Sequence, residues 1–234
     1  MNLRIWICAA ALLLAGEVSS RLMPAAVAAE PSIALVSKVI FDVKRKEVSR
    51  DWVIAKRGET LASGDMVRTG EKSIAVVKFK DNSLVRVREK SEITVTGTTN
   101  GSAFSKSIDL IRGTMGFEVK KQMTGEEFRF SSPTSVASVR GTGGRFISQD
   151  GGDTLTVIDG RVRFRNKVSQ RELDVDAGFT AISHRNGDIA VRPSTPEERA
   201  GAENALRDAE QENRLELEFR DSQGNRKQLK IDFK

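Results

Sequence analysis

The sequence predicts an all-β fold of many short antiparallel strands, closed by one C-terminal helix and a β-hairpin. Three observations carry this. Apolar and polar residues alternate with a period of two through most of residues 30–193, and Gly, Asn or Asp turn signals recur about every ten residues. At Ser194 the pattern changes to that of a helix. A sandwich, a roll or an irregular solenoid would satisfy these signals, and no strict repeat period selects among them.

The clearest stretch is Phe128–Phe164. Phe128 and Phe130 flank Arg129, Val136 and Val139 lead into Arg140-Gly141-Thr142-Gly143-Gly144, and a strand through Phe146 follows. Leu155 and Val157 alternate with threonines, and Arg161-Val162-Arg163-Phe164-Arg165 alternates most regularly of all.

Ahead of this stretch, Ile33–Val43 reads as a strand running into a charged turn, Lys44–Glu47, with Trp52-Val53-Ile54 as its hairpin partner. Ile74–Phe79 is nearly apolar on both faces and is expected to be central. In the turn Lys80–Ser83, Asn82 is placed where a positive φ is needed. Val85 and Val87 point inward, with Arg86 and Arg88 outward. Strands through Ile108-Leu110 and Met115–Val119 flank Arg112-Gly113-Thr114. After Phe164, Leu173-Val175, Phe179–Ile182 and Ile189–Val191 complete the β region.

Thr195-Pro196-Glu197-Glu198 forms a capping box, and Ala202, Ala205, Leu206 and Ala209 make a thin apolar stripe on the helix that follows. This predicts a helix on the surface or a spacer. Leu215, Leu217 and Phe219, answered by Leu229, Ile231 and Phe233, predict a hairpin whose apolar face needs a partner, with the main sheet expected to supply it. The organisation expected is a signal peptide (1–29), a β domain (30–193), a helix (194–214) and a hairpin (215–234).

Residues 1–29 carry Arg4, the apolar run Ile5–Ala15 and the small-residue stretch Ala25–Ala29, the pattern of a cleaved secretory signal. A periplasmic or secreted location is expected. Cys8, the single cysteine, lies inside that run, so the remainder has no disulfide, thiolate ligand or cysteine nucleophile. Net charge is +6, or +5 once Arg4, Arg21 and Glu17 are set aside. With export, the counterparts expected for this charge are an envelope protein, an anionic surface polymer or a peripheral membrane contact. Nucleic acid is not among them.

Several turns taken together resemble the FecR domain, the periplasmic module named after a ferric-citrate signalling regulator. They are Gly64-Asp65 with Thr69-Gly70, Asp81-Asn82-Ser83, Gly113, Pro133 ahead of Val136–Thr142 (which includes Arg140, Gly141 and Thr142), and Gly160-Arg161-Val162, spread in order over about residues 35–192. Asn82 stands where the family has glycine. Gly143-Gly144-Arg145 separates the Gly-Thr pair from Phe146, which implies a bulge or a two-residue insertion. The resemblance implies a β fold and a sensing or binding role at the envelope. FecR regulators proper carry a cytoplasmic anti-sigma domain and a transmembrane helix ahead of this module; a signal segment is read here instead, so control of a sigma factor is not implied.

For chemistry the sequence offers little. Gly141–Gly144 between Arg140 and Arg145 has the composition of an anion-cradling nest, but it lacks a P-loop ending and a strand follows, which favours a structural turn. Arg161, Arg163 and Arg165 line one strand face and, with Arg140 and Arg145, are the candidate anion- or polymer-binding residues. They would form a patch with Arg86 and Arg88 if the two faces adjoin. His184 has no histidine or cysteine companion for a metal or a nucleophile, and Asp174, Asp176, Glu216 and Glu218 occupy outward strand positions. No catalytic residue, metal site or cofactor is expected. The functional expectation is a non-enzymatic binding module of the envelope. The alternative is a scaffold component assembling through its helix and hairpin.

Overall fold

A computed structural model describes residues 32–100, 103–211, 214–220 and 226–232. The signal-like segment, its cleavage site and Cys8 lie outside the described residues. The chain runs through Ala34–Ile40 (β1), Val43–Lys46 (β2), Val53–Ile54 (β3), Thr60–Leu61 (β4), Met66–Thr69 (β5), Ile74–Phe79 (β6), Leu84–Val87 (β7), Glu92–Asn100 (β8) and Ala103–Val119 (β9). It continues through Phe128–Ser131 (β10), Ser135–Val139 (β11), Thr142–Gln149 (β12), Gly152–Asp159 (β13), Arg161–Asn166 (β14), Glu172–Asp176 (β15), Phe179–His184 (β16) and Ile189–Pro193 (β17). Helix α1 (Pro196–Gln211) and the strands Arg214–Arg220 (β18) and Arg226–Asp232 (β19) follow. The all-β expectation with one helix and a terminal hairpin is met.

Two sheets face each other. The first, in the order β4-β1-β6-β7-β9-β12-β13-β16-β17, is antiparallel throughout. The second runs β3-β2-β5-β8-β9-β10-β11-β14-β15, with β9 and β10 parallel. β9 belongs to both: its first half pairs with β8 and β10, its second half with β7 and β12. Ring contacts join the layers, Phe79 to Phe128, Phe117 to Phe130 and Phe146 to Phe164, with centroids 4.8, 4.7 and 6.1 Å apart. These rings are almost fully buried. Each stabilises the fold by roughly 1.5–3 kcal/mol through area removed from water.

The chain crosses repeatedly between the sheets, and the crossing corners stack in two rows. In one row, Gly70 N–H donates to Asp42 O (2.8 Å), Lys90 N–H donates to Gly70 O (3.0 Å), and Ser91 Oγ accepts from Thr114 N–H (2.8 Å). Thr69 Oγ1 donates to Arg88 O and accepts from Ser91 N–H. Phe41, Lys72 and Lys90 sit in this row at φ near +55°, and Gly113 at φ +102°. In the other row, Thr142 Oγ1 donates to Arg161 O (3.0 Å), Ala177 N–H to Gly160 O (3.0 Å) and Ser194 N–H to Gly178 O (2.9 Å). Gly141, Gly160 and Gly178 all have positive φ there. Tight corners of this kind require left-handed backbone, and pairing between neighbouring corners satisfies their polar groups.

Two local expectations need correction. Lys44-Arg45-Lys46 is strand, not turn: the apolar run breaks at Phe41-Asp42, β2 enters the other sheet, and β3 pairs with β2 through Lys44↔Ile54 and Arg45↔Val53. Residues around Arg112-Gly113-Thr114 do not separate two strands. Gly113 lets a single 17-residue strand change sheets, helped by a register shift between Glu92 and Ile93. The terminal hairpin pairs only with itself, as a two-stranded sheet, and the expectation that the main sheet covers its apolar face rests on side chains outside the described residues. Two other readings hold: Asn82 lies at φ +64°, and a bulge does occur beside Gly143-Gly144, its extra residue being Ile158 on the facing strand.

Helix α1 lies on the outer face of the first sheet, over β9, β12 and β13. Ala202 and Ala205 are buried, and Gly116 admits the helix so closely that a Cβ there would stand 2.5 Å from Ala205 O. The predicted capping box forms: Glu198 N–H donates to Thr195 Oγ1 (3.2 Å) and Thr195 N–H to Glu198 Oε2 (2.9 Å). Arg192 adds a bidentate pair to the same carboxylate at 2.8 and 2.7 Å.

The Arg192 hydrogen bonds, the largest cause, hold the Glu198 carboxyl at about 2 against an ordinary 4.5, with burial opposing them. A carboxyl held below its unfolded value contributes stability that is complete above about pH 4.5 and is lost as the pH falls toward 2. Glu198→Gln is therefore expected to cost about 1 kcal/mol at neutral pH, modest because Arg192 is exposed. It should also flatten the acid limb of a far-UV dichroism titration between pH 4.5 and 2. An unchanged acid limb would contradict this account of the helix start.

Candidate binding groove

Sequence signals and geometry meet on the outer face of the second sheet, where a groove of about 570 Å³ runs across β9, β11 and β14 under the 125–127 loop. Strand alternation sends Phe128, Phe130, Val139, Val162 and Phe164 inward, so Arg129, Ser138, Arg161 and Arg163 face out. Arg140, Arg161 and Arg163 line the groove with Glu126, Glu127 and Asp174, three cations against three anions. Glu127 accepts from Ser138 Oγ (2.7 Å) through one oxygen and from Arg129 (2.7 Å) through the other. A smaller groove of about 290 Å³ shares Ser105 and Glu127 and extends the surface toward Thr98 and Arg129.

The arginine strand faces an acidic one. Register pairs Arg161 with Asp176, Arg163 with Asp174 and Arg165 with Glu172. Arg161 Nε donates to Asp176 at 2.5 Å, and Arg163 lies 3.3 Å from Glu172 and 3.4 Å from Asp174. Arg165 donates to Gln170 (3.3 Å). Such exposed pairs contribute little stability, but they leave this face close to neutral. Arg140 is exposed at the groove's end and makes no ion pair among the described residues.

The other predicted arginines lie elsewhere. Arg145 is half-buried beneath α1, its guanidinium donating to Glu198 O at 3.4 Å, and burial lowers its pKa. Arg86 is buried on the same outer face and pairs with Glu118 at 2.6 Å. Arg86 and Arg88 are on β7 and its end, in the first sheet, whereas Arg161, Arg163 and Arg165 are in the second, so the two sets share no face. Nor do Gly141–Gly144 form an open nest: Thr142, Gly143 and Gly144 are strand, paired with β9, and the two glycines also with β13. His184 is not a turn residue as its neighbours suggested: it is the exposed last residue of β16, opposite Gly152 on β13, and the turn begins at Arg185.

The motif residues prove to be architecture. Thr69, Gly70 and Gly113 build the first row of corners, Gly141, Thr142 and Gly160 the second. Gly64, at φ +92°, and Asp65 shape the crossing before β5, where Asp65 Oδ2 accepts from Ala62 N–H (2.9 Å); desolvation raises its pKa. Asp81 does more than turn the chain. Its carboxylate accepts from Ser83 N–H (3.0 Å), Ser83 Oγ (2.9 Å), Gln122 Nε2 (2.9 Å) and Lys106 Nζ (2.6 Å). Lys106 is buried in the second sheet, so this pair ties one layer to the other. Sequence reading missed it, although Lys106 shares the parity of the inward Ile108 and Leu110.

A two-sheet β module with glycine corners and a polar groove on its second sheet is the class that these features define. Residues 65–163 match the family model described as FecR protein, so the resemblance carried by the motifs holds across this segment. No curated protein matches the chain. Among solved structures, a protein of Parabacteroides distasonis ATCC 8503 described as a "putative anti-sigma factor", with crystal structures at 1.65 and 2.50 Å, matches with TM-scores of 0.48 at 13% and 14% identity. The match covers 56% of this chain and 61% of that one. Among the described residues no helix is long and apolar enough to cross a membrane, and no three His, Cys, Asp or Glu side chains cluster to hold a metal ion.

Proposed function

We propose that this chain is an exported, non-enzymatic FecR-type module that binds a protein partner in the bacterial envelope through the groove of Arg140, Arg161 and Arg163, in a sensing or signalling role. The observation that carries the reading is the groove's balanced charge, three arginines against Glu126, Glu127 and Asp174. A polyanion would meet the three carboxylates as repulsion. A protein surface of mixed charge can complement both signs, which sets orientation and excludes wrong partners. The sequence alternation of Leu215, Leu217 and Phe219, in a hairpin that pairs only with itself, supports the second reading, assembly through the C-terminal elements.

Affinity chromatography from envelope extracts tests the proposal, comparing the chain with its Arg140→Gln/Arg161→Gln/Arg163→Gln variant. The wild-type chain is expected to retain a defined protein that the variant loses, while thermal stability changes by no more than about half a kcal/mol per site. Retention that the substitutions leave untouched, or capture only of a polyanion released steeply by salt, would overturn the reading.

A further inference from the structure

A second surface lies on the same sheet at its other edge. Lys44 is the centre of a row, with Ile54 opposite it on β3 and Arg68 opposite it on β5. All three side chains point outward, because the neighbouring Val43 and Val67 are buried in the core. In the next row Lys46 stands opposite Met66. Trp52, two residues before Ile54, is stacked under the Arg68 guanidinium, which sits 4.3 Å from its ring centroid. Ile54 is 72% exposed, and Phe41 and Val48, just before and just after β2, are 77% and 69% exposed. These are unusually large exposures for three apolar side chains within one short segment.

The charges around them favour one sign. Residues 41–59 contain Lys44, Arg45, Lys46, Arg50, Lys56 and Arg57 against Asp42, Glu47, Asp51 and Glu59. Arg45 and Arg50 are taken up by Glu47 and Glu59, which leaves the lysines and Arg57 as the cations this segment gives the surface. Glu92, next to Arg68 in register, is paired with Arg112. Protruding Ile, Val and Phe set among lysines and arginines, with a tryptophan held under a guanidinium, combine the two attractions that a bilayer surface supplies. Apolar side chains enter the headgroup boundary, and cations meet anionic lipids. Trp is suited to that boundary because its ring is apolar and its N–H polar.

We infer that the face made by Trp52, Ile54, Lys44, Lys46 and Arg68 is a peripheral contact with an anionic lipid surface. It lies on the outer face of the second sheet at the edge opposite Arg161 and Arg163, so the groove and the lipid contact serve different partners.

The test uses the full chain with Trp6→Phe, which leaves Trp52 as the one tryptophan, and vesicles of phosphatidylglycerol brominated along the acyl chains. Trp52 emission is expected to shift to shorter wavelength and to be quenched by these vesicles but not by phosphatidylcholine vesicles brominated in the same way. Lys44→Glu/Lys46→Glu should weaken the effect at least tenfold in the lipid concentration required, since each cation near an anionic surface contributes on the order of a fivefold factor. Ile54→Asp should abolish it while leaving thermal stability nearly unchanged, because Ile54 is exposed. An N-terminal segment alone could bring the chain to vesicles, but it would not place Trp52 among brominated acyl chains. Trp52 emission indifferent to phosphatidylglycerol, or quenching that survives Ile54→Asp and the double charge reversal, would overturn the inference. Failure here would leave the groove proposal standing, since that is read by protein capture.

Discussion

Asp81→Ala is expected to destabilise the protein by about 3–5 kcal/mol, because it leaves the buried Lys106 ammonium without its carboxylate. Lys106 lies between the sheets beside the Phe128 ring, 5.7 Å from the centroid, and Asp81 is its ion-pair partner. Lys106→Met with Asp81→Asn should recover most of the loss, since an apolar residue of similar length suits the site and asparagine can still accept from Ser83. Urea denaturation midpoints of the single and double variants measure the difference. The pair also predicts acid sensitivity. Burial works to raise the Asp81 pKa, but hydrogen bonds from Gln122, Lys106 and Ser83 prevail and lower it. Its contribution is therefore present above its ordinary value of 3.8 and is lost as the pH falls through the lower folded value. A single variant as stable as the wild type would show that the layers do not depend on this clamp.

Gly113→Ala should be comparably severe. The residue holds φ +102° at the point where β9 changes sheets, and a Cβ there would meet Ser91 Oγ and stand 2.6 Å from Ser91 Cα. Positive φ costs an alanine about 1 kcal/mol or more, and a backbone clash that cannot be relieved by rotating a side chain adds to it. A loss of at least about 3 kcal/mol, or failure to accumulate as folded protein, is expected. Removing the hydroxymethyl with Ser91→Gly should rescue only part, because the clash with the Ser91 backbone and the strain remain. Full rescue would assign the effect to side-chain crowding and not to the corner.

The period-two alternation was enough to foresee most strands, because a sheet with one buried face writes its register directly into side-chain polarity. Turn chemistry was equally readable at Asn82, at the bulge beside Gly144 and at the capping box of Thr195 and Glu198. What alternation cannot say is which of two sheets a strand joins. Thus β1 and β2 read as one strand and a turn, and β9 read as two strands, although the deciding residues, Phe41 and Gly113, differ from ordinary strand residues only in φ. The arginines show the same limit. Period places Arg86, Arg161 and Arg163 outward, but only the structure reveals that Arg86 is buried on the helix-bearing face with Glu118 and that the others oppose Asp174 and Asp176. Arg140, Arg161 and Arg163 were legible as candidates; Glu126 and Glu127, which make their groove balanced, sit in a charged loop with no periodic signal.

The groove's role is tested most directly by placing a photo-crosslinking amino acid at Ser105, which lines both parts of it, and a second at His184, the exposed end of β16 in the first sheet, away from it. Irradiation of cells should yield one discrete protein adduct from position 105 and none from 184, and Arg140→Glu combined with the probe at 105 should reduce the adduct at least tenfold. Equal adducts from both positions, or a position-105 adduct indifferent to Arg140→Glu, would contradict a protein-binding groove on the second sheet.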